Sequence, residues 1–313
     1  MPHKALSPLP DVASDARASQ AGALDWVGME NIALPVCLID AAGVAVRTPA
    51  QACAFVNLAD PAARGIHMSR LYLLLENALS TEPLTPARLR RLLHDFLGSH
   101  VGLSDRAMLR LAFGHLRRRP ALLSANSGWK AYPVEIAATL TADGFVLEVQ
   151  VDVPYSSTCP ASAALARQLV QADFAANFPH GKALDHVAVE HWLGSKQGMG
   201  ATPHSQRSTA RVRARLAPGF DLPIDGLIDH VEAALKTPVQ TAVKREDEQA
   251  FARLNGENAM FCEDAARRIR AVLDADERIA DFHIRVAHHE SLHAHDAVAM
   301  ATKNVAGGYS AAD

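Results

Sequence analysis

Residues 129 to 158 constrain the fold more than any other stretch. WKAYPVEIAATL and GFVLEVQVDVPYSS both alternate apolar and polar residues, with the turn signal TADG between them. Alternation with a period of two on either side of a Gly-containing turn predicts an antiparallel hairpin, so the chain must build a sheet. LDWVGMENIALPVCLID and ACAFVNL predict two earlier strands. MSRLYLLLENAL, TPARLRRLLHDFLGSH and SDRAMLRLAFGHLRRRP carry apolar residues three and four apart and predict helices, the last capped by Ser104. After the hairpin comes a strand in RSTARVRARLAP, then helices in PIDGLIDHVEAALK and AMFCEDAARRIRAVLD. RIADFHIRVAHHESLHAHDAVAMATK predicts two strands around a turn. The expected fold class is α+β, with two modules of antiparallel strands and paired helices. No repeat is visible in the residues themselves, so the duplication is one of architecture. Residues 1–22, rich in Pro, Ala and Ser, are expected to be a disordered lead-in. The modules run from about 23 to 160 and from 203 to 313, and a partly helical segment, 161–202, is inserted between them.

Composition narrows the function. The 313 residues are 49% hydrophobic and 21% charged, enough for a large core, and a net charge of −3 gives no basic footprint for nucleic acid. No apolar run approaches the roughly 18 residues of a membrane span, and the start lacks signal-peptide order, so a cytoplasmic, non-membrane protein is expected. Cys37, Cys53, Cys159 and Cys262 show no CxxC spacing, which fits reduced thiols rather than a disulfide framework.

The chemistry-bearing residues fall in separated places. Neither GxGxxG nor GxxxxGK[ST] occurs, so dinucleotide and P-loop phosphate sites are unsupported. In YSSTCP, Pro160 disfavours helix at Cys159 and holds the thiol on an extended end or turn. A free cysteine is commonly a buried core filler; a thiol converging with imidazole and carboxylate would instead suit a divalent metal. His289, Glu290 and His293 match HExxH, but that zinc chemistry needs a helix and DFHIRVA reads as a strand. A turn with solvated histidines is the plainer alternative, and His293 turned inward to a metal is a third. KREDEQAFARLNGEN is a charged run of the kind that usually covers an exposed helix face. Glu263, opening an amphipathic helix, is either a dipole-stabilised helix-start carboxylate or an acceptor for paired N–H groups of a flat ligand. From the residues alone, a metal hydrolase is one option and nothing narrower follows.

Taken together, DWVGMENIALPV, GIHMSR, SSTCP, HSQRS, KREDE followed by CEDAARRI, and ESLHAHDA resemble the GTP cyclohydrolase type IB family, in order and from about Asp25 to Ala301. The resemblance implies the tunnelling fold, with subunits assembling their sheets into oligomeric barrels, a homotetramer, and active sites at subunit interfaces. It implies conversion of GTP and water to 7,8-dihydroneopterin triphosphate and formate, the first step towards tetrahydrofolate. It also implies a divalent ion, Zn²⁺, Mn²⁺ or Fe²⁺, held by Cys159, His204, Glu248 and His293, with Cys159, His204 and His293 serving in catalysis. Glu248 is preferred to Glu246 within KREDE. Glu263 would anchor guanine, and Arg70, Arg207, Lys244 and Arg245 would bind the triphosphate.

Two features depart from the family pattern. Ala161 stands where a second cysteine is common, in CPAS rather than CPCS. And 44 residues separate Cys159 from His204, where about a dozen are expected; the added segment carries His180, His186 and His191, expected on the surface. The competing readings are a tunnelling-fold nitrile reductase, whose NADPH-linked motif is not found, and a non-catalytic purine- or pterin-binding paralogue.

Overall fold

The computed structural model describes residues 17–40 and 43–312, which form eight strands and seven helices. In chain order they are β1 (Leu24–Ile39), β2 (Ala45–Leu58), α1 (Met68–Leu79), α2 (Pro86–Gly98), β3 (Ala107–Pro120), β4 (Ser127–Thr141) and β5 (Gly144–Thr158). Then follow α3 (Pro160–Asn177), α4 (His186–Leu193), β6 (Ser205–Leu216), α5 (Ile224–Leu235), α6 (Arg245–Glu257), α7 (Cys262–Asp274), β7 (Ile279–His288) and β8 (Ala297–Thr302). The strands make one sheet in sequential order, β1 to β8. The α+β class and the hairpin that anchored it are as expected. Of the expected lead-in, residues 1–16 lie outside the described residues. Ala18 and Gly22 donate backbone hydrogen bonds to Ala62 O and Pro61 O, both 3.0 Å.

The helix expected over SDRAMLRLAFGHLRRRP is instead β3. Leu109, Ala112, Phe113 and Leu116 fit helical spacing, but Leu109, Leu111, Phe113 and His115 are the buried set, with Arg110, Ala112, Gly114 and Leu116 outward. Pairing with β2 decides between the two periods, since Ala52 lies opposite Leu111 and Ala50 opposite Phe113. Ser104 caps no helix; its hydroxyl donates to Asn57 O.

The described residues form two compact units: those within 17–115, 133–150 and 214–225, and those within 116–132, 151–213 and 226–312. In the first, α1 and α2 pack together, and α1 also packs on β1 and β2. Thr85 Oγ1 caps α2 by accepting the Arg88 N–H, Pro86 supplies a preset φ at the first turn, and Leu89, Leu92, Leu93 and Phe96 form its buried stripe. Each such buried leucine contributes about 1.5–3 kcal/mol. Gly28 on β1 sits so close to β2 that a Cβ would strike Ala54 O and Phe55, so no side chain fits there.

In the second unit, α7 packs on β7 and β8 through Cys262, Ala265, Ala266, Ile269 and Leu273, spaced three and four apart. Asp247, in the first turn of α6, is fully buried and accepts from Leu123 N (2.7 Å), Ser124 N (2.9 Å), Ser124 Oγ (2.6 Å) and Lys244 N (2.8 Å). These bonds, the Lys244 and Ser124 contacts foremost, hold its carboxyl well below the usual carboxylate range. Among the described residues no helix is long and apolar enough to cross a membrane.

Candidate functional site

The site grows from the end of β5. Along this strand Leu147, Val149, Val151, Val153, Tyr155 and Ser157 all point inward, so the alternation that builds the core also delivers a phenol and a hydroxyl into the interior. Cys159 follows with φ −70° and ψ 121°, the extended state that Pro160 requires, and is the N-cap of α3. Its Sγ accepts the Ser162 N–H at 3.4 Å.

From here the inserted segment departs and returns. It is largely helical, α3 and α4 meeting where Trp192 packs edge-on against Phe174 and Phe178, with ring centroids 5.7 and 5.8 Å apart. His180, His186 and His191 are exposed, as expected of surface residues. The return point is closed by two hydrogen bonds: Cys159 N–H donates to His204 O (3.2 Å), and His204 N–H donates to Ser162 Oγ (3.2 Å). Cys159 and His204 are thus neighbours despite the residues between them. Ser162 joins them from both sides; its position three residues after the N-cap is the one sequence signal for that role.

His204 Nε2 lies 3.5 Å from Glu290 Oε2, and both side chains are largely shielded from solvent. Glu290 stands in the bend between β7 and β8, not on a helix, so the HExxH residues share no face. His289 braces this bend: its N–H donates to Arg207 O (3.1 Å), and its ring contacts Asp296 Oδ2 and Thr209 Oγ1, each at 3.0 Å. His293 is exposed and stacks on His295, with centroids 5.1 Å apart.

Behind these residues runs a buried polar chain. Gln206 Nε2 donates to Ser157 Oγ (2.8 Å), which bonds Ser208 Oγ (2.8 Å), and Tyr155 OH meets His288 Nε2 at 2.8 Å. Burial pushes the His288 pKa down to about 4, against the opposing charges of Glu290 and Glu263, and raises Tyr155 far above its ordinary value. A neutral imidazole against a neutral phenol is what a dry interior tolerates. At the start of α7, Cys262 Sγ–H donates to Glu263 Oε2 at 3.2 Å. The thiol is pushed up to about 11, chiefly by burial, so it stays a donor. Glu263 is exposed, and its carboxyl is lowered by its own backbone N–H and by the Cys262 thiol.

The remaining expected residues are less gathered. Glu248 is exposed on α6 beside buried Asp247, and Arg207, Lys244 and Arg245 are exposed. Arg70 belongs to the first unit, where its guanidinium donates to Ser99 O (2.8 Å) and lines a cavity of about 460 Å³ with Arg17, Asp60, His67 and His100.

A family model described as type I GTP cyclohydrolase folE2 matches residues 9–299. The chain belongs to the FolE2 family. It is similar to "GTP cyclohydrolase FolE2" of Pseudomonas putida, 54% identical over 93% of this chain and 94% of that one. The protein of the same name from Hydrogenovibrio crunogenus is 49% identical over 96% of each chain. Among solved structures, uricase from Arthrobacter globiformis overlays with a TM-score of 0.52 at 10% identity, covering 92% of this chain and 96% of that one, a likeness of fold alone.

For this FolE2-family chain, the fit to a divalent ion is partial. Cys159 and His204 are joined through their backbones and a carboxylate faces the imidazole, so S, N and O donors of the right kinds occur in one neighbourhood. Among the described residues, however, no three His, Cys, Asp or Glu side chains close into a metal cage. Tyr155 and His288 carry no site signal in the sequence, because they meet only across the fold; Glu290 is legible only within the HExxH match, and Cys262 only as the neighbour of Glu263.

Proposed function

We propose that this chain is a metal-dependent GTP cyclohydrolase that converts GTP and water to 7,8-dihydroneopterin triphosphate and formate, opening tetrahydrofolate synthesis. The observation that carries the reading is the joining of Cys159 to His204, with Glu290 facing the imidazole, across an insertion that would otherwise separate them. Cys159 and His204, with Glu248 and His293, would hold the ion, Zn²⁺, Mn²⁺ or Fe²⁺. Such an ion supplies Lewis acidity and an acidified water near neutral pH.

The chain's own groups account for recognition and proton movement. Whichever of His204 and His293 is not on the ion delivers a proton to guanine N7 as water adds at C8, and Glu290 lies against the His204 imidazole. The imidazole ring opens, formate leaves by hydrolysis, the ribose opens and rearranges to a 2′-ketone, and the freed amine condenses with that ketone and releases water, so one water is consumed overall. Glu263, kept ionised and oriented by the Cys262 thiol, accepts from guanine N1–H and the 2-amino group. Arg70, Arg207, Lys244 and Arg245 serve the triphosphate. The active unit is a cytoplasmic homotetramer with interfacial sites, so Arg70 need not serve the Cys159 of its own chain.

Metal-stripped protein incubated with GTP is expected to release formate and a fluorescent oxidised pterin only after Zn²⁺, Mn²⁺ or Fe²⁺ is restored. Tight GTP binding without either product, under every metal, would instead favour the non-catalytic paralogue. Glu263→Gln, which puts an amide donor against guanine's donors, is expected to lower kcat/KM for GTP about 100-fold. Steady-state assay of this variant checks the anchor; unchanged kcat/KM would remove Glu263 from guanine recognition.

A further inference from the structure

One wall of the cavity beside Arg70 is a group that no part of the mechanism uses. His100 follows the end of α2, is 1% exposed, and touches both neighbouring segments. Its Nε2 lies 3.2 Å from the backbone N of His67, and its Nδ1 lies 3.0 Å from Phe96 O and 2.9 Å from Ser99 Oγ. A backbone N–H only donates, so Nε2 accepts and the ring proton sits on Nδ1. Burial, with the nearby His67 and Arg70, lowers the ring's pKa and keeps this tautomer neutral.

The bonded amide is significant. His67 is the N-cap of α1, in the turn GIHMSR, and its side chain makes no capping hydrogen bond to the helix. The entry of α1 is therefore tied down by the end of α2. Three residues on, Arg70 donates to Ser99 O at 2.8 Å. Residues 99 and 100 thus grip the turn at both ends, at positions 67 and 70. The cavity wall carries Arg17, His67 and Arg70, with Asp60 turned partly to its own loop, where Oδ1 accepts the Ala62 N–H at 2.8 Å. A leucine at position 100 would fill the same space without the cost of desolvating an imidazole, but it would leave the His67 amide without its acceptor.

We propose that His100 is a positioning residue for the polyphosphate subsite: its neutral imidazole fixes the first turn of α1 and so aims Arg70 at the anion. This rests on Arg70 binding phosphate, as proposed above. The imidazole touches no substrate atom; it acts through the His67 amide.

The test uses the full-length, metal-loaded enzyme, GTP as substrate and inorganic tripolyphosphate as competitor. His100→Gln puts Oε1 where Nε2 stood and can still accept the His67 amide. His100→Asn keeps a donor near Phe96 O but cannot reach that amide, and His100→Leu serves as a second variant without an acceptor. The Asn and Leu variants are expected to raise KM for GTP and Ki for tripolyphosphate about tenfold with kcat within about twofold, the effect of one lost hydrogen bond. The Gln variant should stay within about twofold on all three. Equal behaviour of Gln and Asn, or a fall in kcat at constant KM, overturns the proposal. Arg70→Ala separates it from the reading beneath. An unchanged tripolyphosphate Ki there removes Arg70 from the phosphate site, whereas a raised Ki there with a normal Asn variant removes His100 alone.

Discussion

Cys159→Ala is expected to lower GTP turnover by at least about 10³-fold, roughly 4 kcal/mol of transition-state stabilisation, while the protein stays folded. The structural cost is small because Cys159 makes a weak cap: its Sγ accepts one N–H at 3.4 Å, and losing an N-cap costs about 0.5–2 kcal/mol. Cys159→Ser makes the distinction sharper. A serine hydroxyl caps a helix better than a thiol, so stability should be kept or raised, yet a neutral hydroxyl is a poor donor to zinc or iron beside a thiolate. Activity should therefore remain lost in the serine variant, with bound metal reduced when measured by elemental analysis. A fully active Ser variant would return Cys159 to the role of a helix cap.

Asp247→Ala is expected to cause the largest loss of stability, lowering Tm by roughly 5–10 °C. The carboxylate is the common acceptor for two backbone N–H groups and a hydroxyl at residues 123 and 124 and for the N-cap amide of Lys244. Without it those four donors lose the one acceptor they share. The pH dependence follows from its lowered pKa. A carboxylate depressed in the folded state stabilises fully above the ordinary value near 4, and that contribution is lost as pH falls towards the folded value. The gap in Tm between wild type and variant should thus be constant from about pH 5 to 8 and shrink below about pH 4. A gap independent of pH down to the acid limit would mean that the carboxylate's charge is not what holds this loop.

Asp247 also illustrates what the sequence could and could not reveal. KREDE reads as a solvated charge run, and Glu246 and Glu248 on either side are exposed as that reading predicts. Nothing in the composition of the run marks the middle acid as buried, because its partners at 123 and 124 are remote in the chain. His289 and Glu290 teach the same lesson: adjacent residues of a familiar motif, one bracing a bend and the other facing His204. The β3 segment was ambiguous for a different reason, since Leu109, Ala112, Phe113 and Leu116 satisfy a helix while Leu109, Leu111 and Phe113 satisfy a strand.

What the sequence determined alone were features set by neighbours a few residues apart. The hairpin at 129–158, the extended Cys159 before Pro160, the apolar stripes of α1, α2 and α7 and the surface histidines of the insertion follow from local sterics and periodicity. The family, too, was legible, because its motifs keep their order along the chain. Tertiary structure alone decided which remote groups meet: Cys159 with His204, His204 with Glu290, Tyr155 with His288, and His100 with the His67 amide. The physical reason is that a hydrogen bond reaches about 3 Å, whereas sequence patterns carry no information on distance once a chain has turned back on itself.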